Sequence, residues 1–222
     1  FGARVVGRQD VVVVSSPTFF SIGSAWLLAR SKRARFVVEV RDLWPAIFVD
    51  LGVLTNKTII SILERIELAA YRSADAVVVV SEGFRPNIAS RGTREDKIFT
   101  IPNAADVEFF LPQDADQDVR RHLGASPEQT LVLYSGAHGI SQGLQCIIDV
   151  AERFKDEPIH FALVGDGAEK KSVLDQVRSR GLPNVTMLPG VPREEMPRLI
   201  AAADICLVPL RNIPLFASFI PS

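Results

Sequence analysis

Three short glycine-bearing segments hold the residues best suited to binding a charged ligand. The first is Ser135-Gly136-Ala137-His138-Gly139-Ile140-Ser141-Gln142-Gly143. Its glycines let the backbone pass close to a ligand, and a helix predicted from 141 aims its N-terminus at the same place. Free amide donors and the helix dipole together suit a phosphate. The segment serves equally as a glycine-rich turn with no ligand, since such loops are common. The second is Gly165-Asp166-Gly167, ahead of another helix that Asp166 is placed to cap. The third, Pro189-Gly190-Val191-Pro192, is a tight turn able to set a backbone edge against a planar base. Glycine after three neighbouring strands is a stronger sign than any one alone.

Arg41-Asp42-Leu43-Trp44-Pro45 is of a different kind. A charged pair and a tryptophan follow a strand directly. They line a binding cleft, or they form an Arg–Asp surface pair with Trp44 covering the core. The apolar stretch 46–54 is a hydrophobic lip for an acceptor or membrane, or part of the core. Of the histidines, His122 is expected on a polar helix surface and His160 inside a strand, which leaves His138, in the glycine loop, as the one to test for catalysis. Arg30, Lys32, Arg33 and Arg35 gather at a helix end, where the dipole favours them. Contact with anionic lipid is the other reading.

Alternating elements must position these groups. Apolar runs at 11–14, 36–40, 76–80, 97–101, 131–134, 159–164, 185–188 and 205–208 read as buried strands. Helical patterns fall between them, at 19–33, 58–72, from Ser81 as a capping residue, and at 141–154, 168–180 and 193–203. The inward faces are expected to be Ile59, Ile62, Leu63, Ile66 and Ala70; then Leu144, Ile147, Ile148 and Ala151; then Met196, Leu199, Ile200 and Ala203. Strict alternation implies right-handed βαβ units and parallel sheets covered on both faces. Proline and aspartate with little periodicity mark 105–118 as a linker. The expected division is therefore 1–104, linker 105–118, and 119–222. In such sheets ligands bind beyond the carboxyl ends of the strands, where all the segments above lie.

Composition narrows the classes. The 222 residues carry 25 basic and 26 acidic side chains, with 47% apolar and 23% charged residues. That balance belongs to a globular protein, without the basic field of a nucleic-acid binder. The two cysteines, Cys146 and Cys206, are far apart, and no Cys/His cluster suggests a metal. No apolar run reaches the roughly 18 residues of a membrane span. A reducing cytoplasm fits. A nicotinamide enzyme fits poorly, because no GxGxxG follows a strand.

Taken together, the segments resemble the GT-B glycosyltransferases, specifically the retaining family 4. YSGAHGISQGL, FALVGDGAEKKSV and NVTMLPGVPREEMPRLIAAADICLVPL match that family's C-terminal domain in order and spacing. VRDLWP, SADAVVVVSEGFRPNI and KIFTIPNAADVEFF resemble the end of its N-terminal domain and the crossing into the second. The nearest group is bacterial enzymes of surface-polysaccharide synthesis. The resemblance implies two Rossmann-like domains, both incomplete, the chain being truncated at both ends.

It further implies a nucleotide-sugar donor, UDP- or GDP-linked, bound by the second domain. Gly136, Ala137, His138, Gly139, Gln142 and Gly143 would hold the diphosphate. Gly165, Asp166 and Gly167 would line the pocket, with Pro189, Gly190 and Val191 near the base. Arg41, Asp42 and Trp44 would face a glycan or lipid-linked acceptor, at the inner face of the membrane. No metal or other cofactor is implied. Departures matter too. Many members carry an arginine and a lysine in the diphosphate loop, where this chain has Ala137 or His138 and Gln142, so amides and His138 would carry that load. Many have a histidine where Arg41 stands. One of a pair of acidic residues would fall near Ser218. This chain alone is expected to be inactive. A nucleotide-sugar epimerase of the same fold and a non-catalytic nucleotide-binding fragment are the competing readings.

Overall fold

The computed structural model describes residues 6–16 and 19–221. They form two compact units, one running to Ala104 and resuming at Ile213, the other Ala105–Asn212. This departs from the division expected from sequence. The stretch 105–118 is folded into the second unit: Asp106 pairs with Arg193 at 3.0 Å, and Arg193 stacks over Phe109 at 4.7 Å. Asp116 caps the following helix and pairs with Arg198. The residues after Ile213 belong to the first unit because Phe219 packs edge-on against Phe84, 4.8 Å between centroids, and the Ser81 hydroxyl donates to the Ser218 carbonyl at 2.7 Å.

The first unit contains β1 (Val11–Ser15), α1 (Phe19–Lys32), β2 (Arg35–Val40), α2 (Ala46–Asp50), α3 (Lys57–Ser73), β3 (Ala76–Val79), α4 (Phe84–Ser90) and β4 (Ile98–Thr100). Its four parallel strands lie in chain order, β1-β2-β3-β4. Right-handed connections between successive neighbours put every crossover helix on one face. One core forms there, from Val12, Val14, Phe36, Val38, Val77 and Val79 against Ile22, Tyr71, Phe84 and Ile88. The alternate residues point the other way, and Val11, Val13 and Phe99 are more than half exposed or at that limit, at 50%, 61% and 52%. Among the described residues the expected cover on both faces is therefore not met in this unit.

The face expected of α3 is also corrected. Its buried residues are Glu67, Ala70 and Tyr71, while Ile59, Ile62 and Ile66 face solvent. The inward side is built around a satisfied polar group: Tyr71 donates to the Glu67 carboxylate at 2.8 Å, and Arg91 pairs with it at 2.7 Å. Ser81 does not cap α4 directly. Its hydroxyl accepts from the Gly83 amide, one residue before the helix.

The second unit contains α5 (Gln117–His122), β5 (Thr130–Ser135), α6 (Gln145–Arg153), β6 (Ile159–Val164), α7 (Lys170–Ser179), β7 (Val185–Leu188), α8 (Met196–Ala202) and β8 (Ile205–Cys206). All pairs are parallel and the order is β7-β6-β5-β8. The chain builds outward from β5 to β7, then returns to the far side of β5. That reversal places helices on both faces. Val132, Phe161 and Leu163 meet Ile147, Ile148 and Val173 on one side. Leu131, Leu133, Ala162 and Val164 meet Leu123, Leu199 and Ala202 on the other. The inward set of α6 is as expected, but α8 turns Leu199 and Ala202 inward and leaves Ile200 41% exposed. A buried Arg120 fixes the start of β8, donating to the carbonyls of Ala202 and Gln129 and pairing with Asp204 at 3.0 Å.

Candidate functional site

The register of the second sheet sets Ser135, Val164 and Leu188 side by side at the ends of β5, β6 and β7. Each is followed at once by one of the glycine-bearing turns, so the topology brings together all three segments singled out from sequence. They are sewn to one another. The Gly136 amide donates to Val164 O at 3.0 Å, Gly165 to Leu188 O at 3.2 Å and His138 to Asp166 O at 2.9 Å. The Glu169 amide in turn donates to His138 O at 2.8 Å.

Close approach requires glycine here. Gly165 has φ +149°, and a Cβ on it would collide with the Gly136 carbonyl oxygen. What remains exposed is a row of backbone from Gly136-Ala137, Asp166-Gly167 and Pro189-Gly190. Among the described residues the Ala137 and Gly139 amides have no acceptor, so they are donors open to an anion. Beyond them α6 starts without a side-chain cap; the Cys146 and Ile147 amides donate to the Gly143 and Leu144 carbonyls, and the Gln145 amide has no acceptor among the described residues.

Asp166 does not cap a helix. Its carboxylate accepts from the Gly190 amide at 2.8 Å and from Lys170 Nζ at 2.6 Å. The Gly190 amide, then Lys170, hold Asp166 below the usual carboxylate range. Lys170 also donates to the carbonyls of Gly165 at 2.8 Å and Leu188 at 3.2 Å. It therefore ties together the carboxyl ends of β6 and β7. Sequence reading passed over this lysine, although its spacing of four from Asp166 was a usable signal.

His138 lies beneath the loop and not on it. Its ring is fully buried, 5.8 Å from the Tyr134 ring, and neither nitrogen has a hydrogen-bond partner. Burial first and Lys170 next push its pKa down, with Asp166 opposing. That geometry suits packing and does not fit the catalytic role expected for it. The Tyr134 hydroxyl fixes the loop from below, donating to Ala137 O at 2.6 Å. Gln142 is half-buried, and Gly143 closes the loop with φ +59°.

In the first unit the charged pair at the end of β2 is not an Arg–Asp pair. Arg41 lies 3.8 Å from Glu39. Asp42 is half-buried, and burial pushes its carboxyl up, with Arg41 opposing. Leu43, not Trp44, is the core residue, at 1% exposure; Trp44 is partly exposed and edge-on to Phe48 at 5.4 Å. Among the described residues no group of three His, Cys, Asp or Glu gathers as a metal site would, and no helix is long and apolar enough to cross a membrane.

The chain is similar to known proteins in sequence and in fold. Residues 3–104 match the family model described as glycosyl transferase 4-like domain, and residues 115–217 match glycosyl transferases group 1. WcaI of Escherichia coli (strain K12), named as a colanic acid biosynthesis glycosyl transferase, is 28% identical over 90% of this chain and 51% of its own length. WbjE of Pseudomonas aeruginosa, named as a glycosyltransferase, is 24% identical over 97% of this chain and 54% of its own. The chain thus spans about half the length of the curated relatives it matches. Among solved structures, Anabaena HepE in complex with UDP and glucose superposes with a TM-score of 0.70 at 18% identity, covering 88% of this chain and 52% of that one. Sucrose-phosphate synthase from Thermosynechococcus elongatus gives 0.71 at 20% identity, covering 91% and 50%. The two α/β units have the fold of GT-B glycosyltransferases, and both family matches are to glycosyl transferase domains.

Proposed function

We propose that this chain is the nucleotide-binding and acceptor-side part of a retaining glycosyltransferase that moves a sugar from a nucleotide sugar to a glycan or lipid-linked acceptor. The observation that carries the reading is the exposed row of backbone at Gly136-Ala137, Asp166-Gly167 and Pro189-Gly190, which runs across the carboxyl ends of the second sheet from β5, where the strand order reverses, to β7. Carboxyl-end crevices at such reversals are where open α/β sheets bind ligands. In this reading the Ala137 and Gly139 amides and the start of α6 take the diphosphate, and Pro189-Gly190 meets the base.

Preorganised dipoles aimed at the departing diphosphate lower the barrier, because charge develops there as the sugar–phosphate bond breaks. No metal is invoked for that step. Arg41, Asp42 and Trp44 are offered to the acceptor, where a carboxyl raised by burial is suited to proton exchange with a hydroxyl. Surface-polysaccharide synthesis is the setting that the colanic acid biosynthesis in the name of WcaI favours, and the name of WbjE adds a glycosyltransferase. The same names count against an epimerase.

The test is thermal stability with UDP, GDP and ADP, each with and without its sugar. A ligand bound only by the folded form adds about 2.7 kcal/mol at a hundredfold excess over its dissociation constant. A selective rise with one nucleotide is expected; no rise with any of them overturns the donor-site reading. The anomeric configuration of a transfer product, read by NMR, tests retention.

A further inference from the structure

The loop 135–143 contains no lysine or arginine. A diphosphate bound there would meet amide dipoles but no cation from the loop itself. One reaches the loop from β8. That strand leaves the sheet on the far side of the order reversal, beside β5. The Leu207 amide donates to Leu133 O at 2.8 Å, and four residues on the Arg211 amide donates to Ser141 O at 2.9 Å. Gly143 lies so close that a Cβ on it would stand 2.8 Å from Arg211 Cγ. Arg211 lines a cavity of about 360 Å³ together with Gly139, Gly143, Gln145 and Glu169.

In the same unit Arg120, Arg121, Arg180, Arg193 and Arg198 are all held in ion pairs. The Arg211 guanidinium has no ion pair or hydrogen bond among the described residues. A guanidinium offers phosphate a planar fork of donors. Glu169, the acidic lining residue nearest in sequence to the Asp166 turn, is suited to hydroxyl groups and not to phosphate. A cation at one part of the cavity wall and a carboxylate at another match a ligand bearing both phosphates and sugar hydroxyls.

We propose that Arg211 binds the phosphates of the nucleotide, supplying from β8 the positive charge that the glycine loop lacks. The inference rests on the donor-site reading above. It is tested by calorimetric titration of the chain with UDP, GDP and ADP and with the parent nucleosides uridine, guanosine and adenosine. For the nucleotide that the wild type binds, Arg211→Gln is expected to weaken the diphosphate by about tenfold or more, and to leave the nucleoside within about twofold. Arg211→Lys, which keeps the charge but loses the fork, is expected to fall between. The melting temperature of Arg211→Gln is expected to match the wild type, since the guanidinium holds nothing in the fold.

If the wild type binds a diphosphate and Arg211→Gln binds it equally well, the role of Arg211 is overturned and the donor site stands. If diphosphate and nucleoside weaken together, Arg211 only shapes the cavity, and the proposal again fails. If the wild type binds no nucleotide, the donor-site reading falls and takes this role with it.

Discussion

The first unit takes its strands in chain order, whereas the second reverses once and sets β8 on the far side of β5. Both use four parallel strands with helical crossovers. The monotonic order leaves one sheet face of the first unit without helices among the described residues, with Val11 and Val13 exposed. The reversal in the second unit sends α6 and α7 to one face and α5 and α8 to the other. The same reversal parts the chain at β5, so that the exits of β5 and β8 flank one place. Burial and binding capacity thus have a single topological cause. The carboxyl end of β3 in the first unit is instead packed by the residues around Ser218. The electrostatics divide likewise: Asp166 in the second unit is held low by an amide and a lysine, while Asp42 in the first is raised by burial.

The two units can be followed separately, because both tryptophans, Trp26 and Trp44, belong to the first. Tryptophan fluorescence therefore reports that unit, and backbone dichroism reports both. The largest effect is expected from Gly165→Val, which combines a positive φ with a collision against the Gly136 carbonyl. Strain and overpacking together should cost about 3 kcal/mol or more, seen as an early dichroism transition with the fluorescence transition unmoved. A fluorescence transition that moves equally would show that the units unfold as one. Saturating nucleotide is next. About 2.7 kcal/mol at a hundredfold excess should raise only the dichroism transition of the second unit.

A smaller effect is expected from pH. All three histidines lie in the second unit, and burial lowers the pKa of both His138 and His160. The unfolded chain takes up protons below about pH 6.5, which the folded unit resists. Stability is therefore fully present above that pH and is lost as pH falls through the lowered values. Asp42 and Glu67 in the first unit are raised by burial, which favours the folded form as pH falls. Going from pH 7.5 to 5.5 should lower only the dichroism transition, and His138→Leu should reduce that loss. A pH response confined to fluorescence would contradict the assignment.

Smaller again is Gly52→Ala in the first unit. Its φ is +73° with nothing within 4 Å of a Cβ, so strain alone should cost about 1 kcal/mol. The smallest is Val13→Thr on the bare sheet face, expected within about 0.5 kcal/mol. A loss of about 2 kcal/mol there would mean that this face is covered in solution.

Local pattern carried a good deal. Apolar runs located the eight strands of the described residues, and the 3-4 spacing of Leu144, Ile147, Ile148 and Ala151 identified the buried side of α6. Glycine after β5, β6 and β7 marked where three turns pack against one another, because backbone that must approach a neighbour closely cannot carry a Cβ. The same logic failed for α3, whose isoleucine stripe turned outward. A buried Glu67 is tolerable only with Tyr71, one turn on in the same helix, and Arg91 at hand, and the pairing with Arg91 lies outside the helix and its period.

Strand order was beyond the sequence, since periodicity records which residues are buried and not which strand lies beside which. On strand order depended the bare face of the first sheet, the burial of His138 under its own loop, and the arrival of Arg211 beside Gly143. The sequence determined the elements and the positions where backbone had to be bare, because those follow from side-chain size and spacing along a few residues. The tertiary structure decided which groups share the site, because contacts between residues as distant as Ser141 and Arg211 form only when β8 pairs with β5.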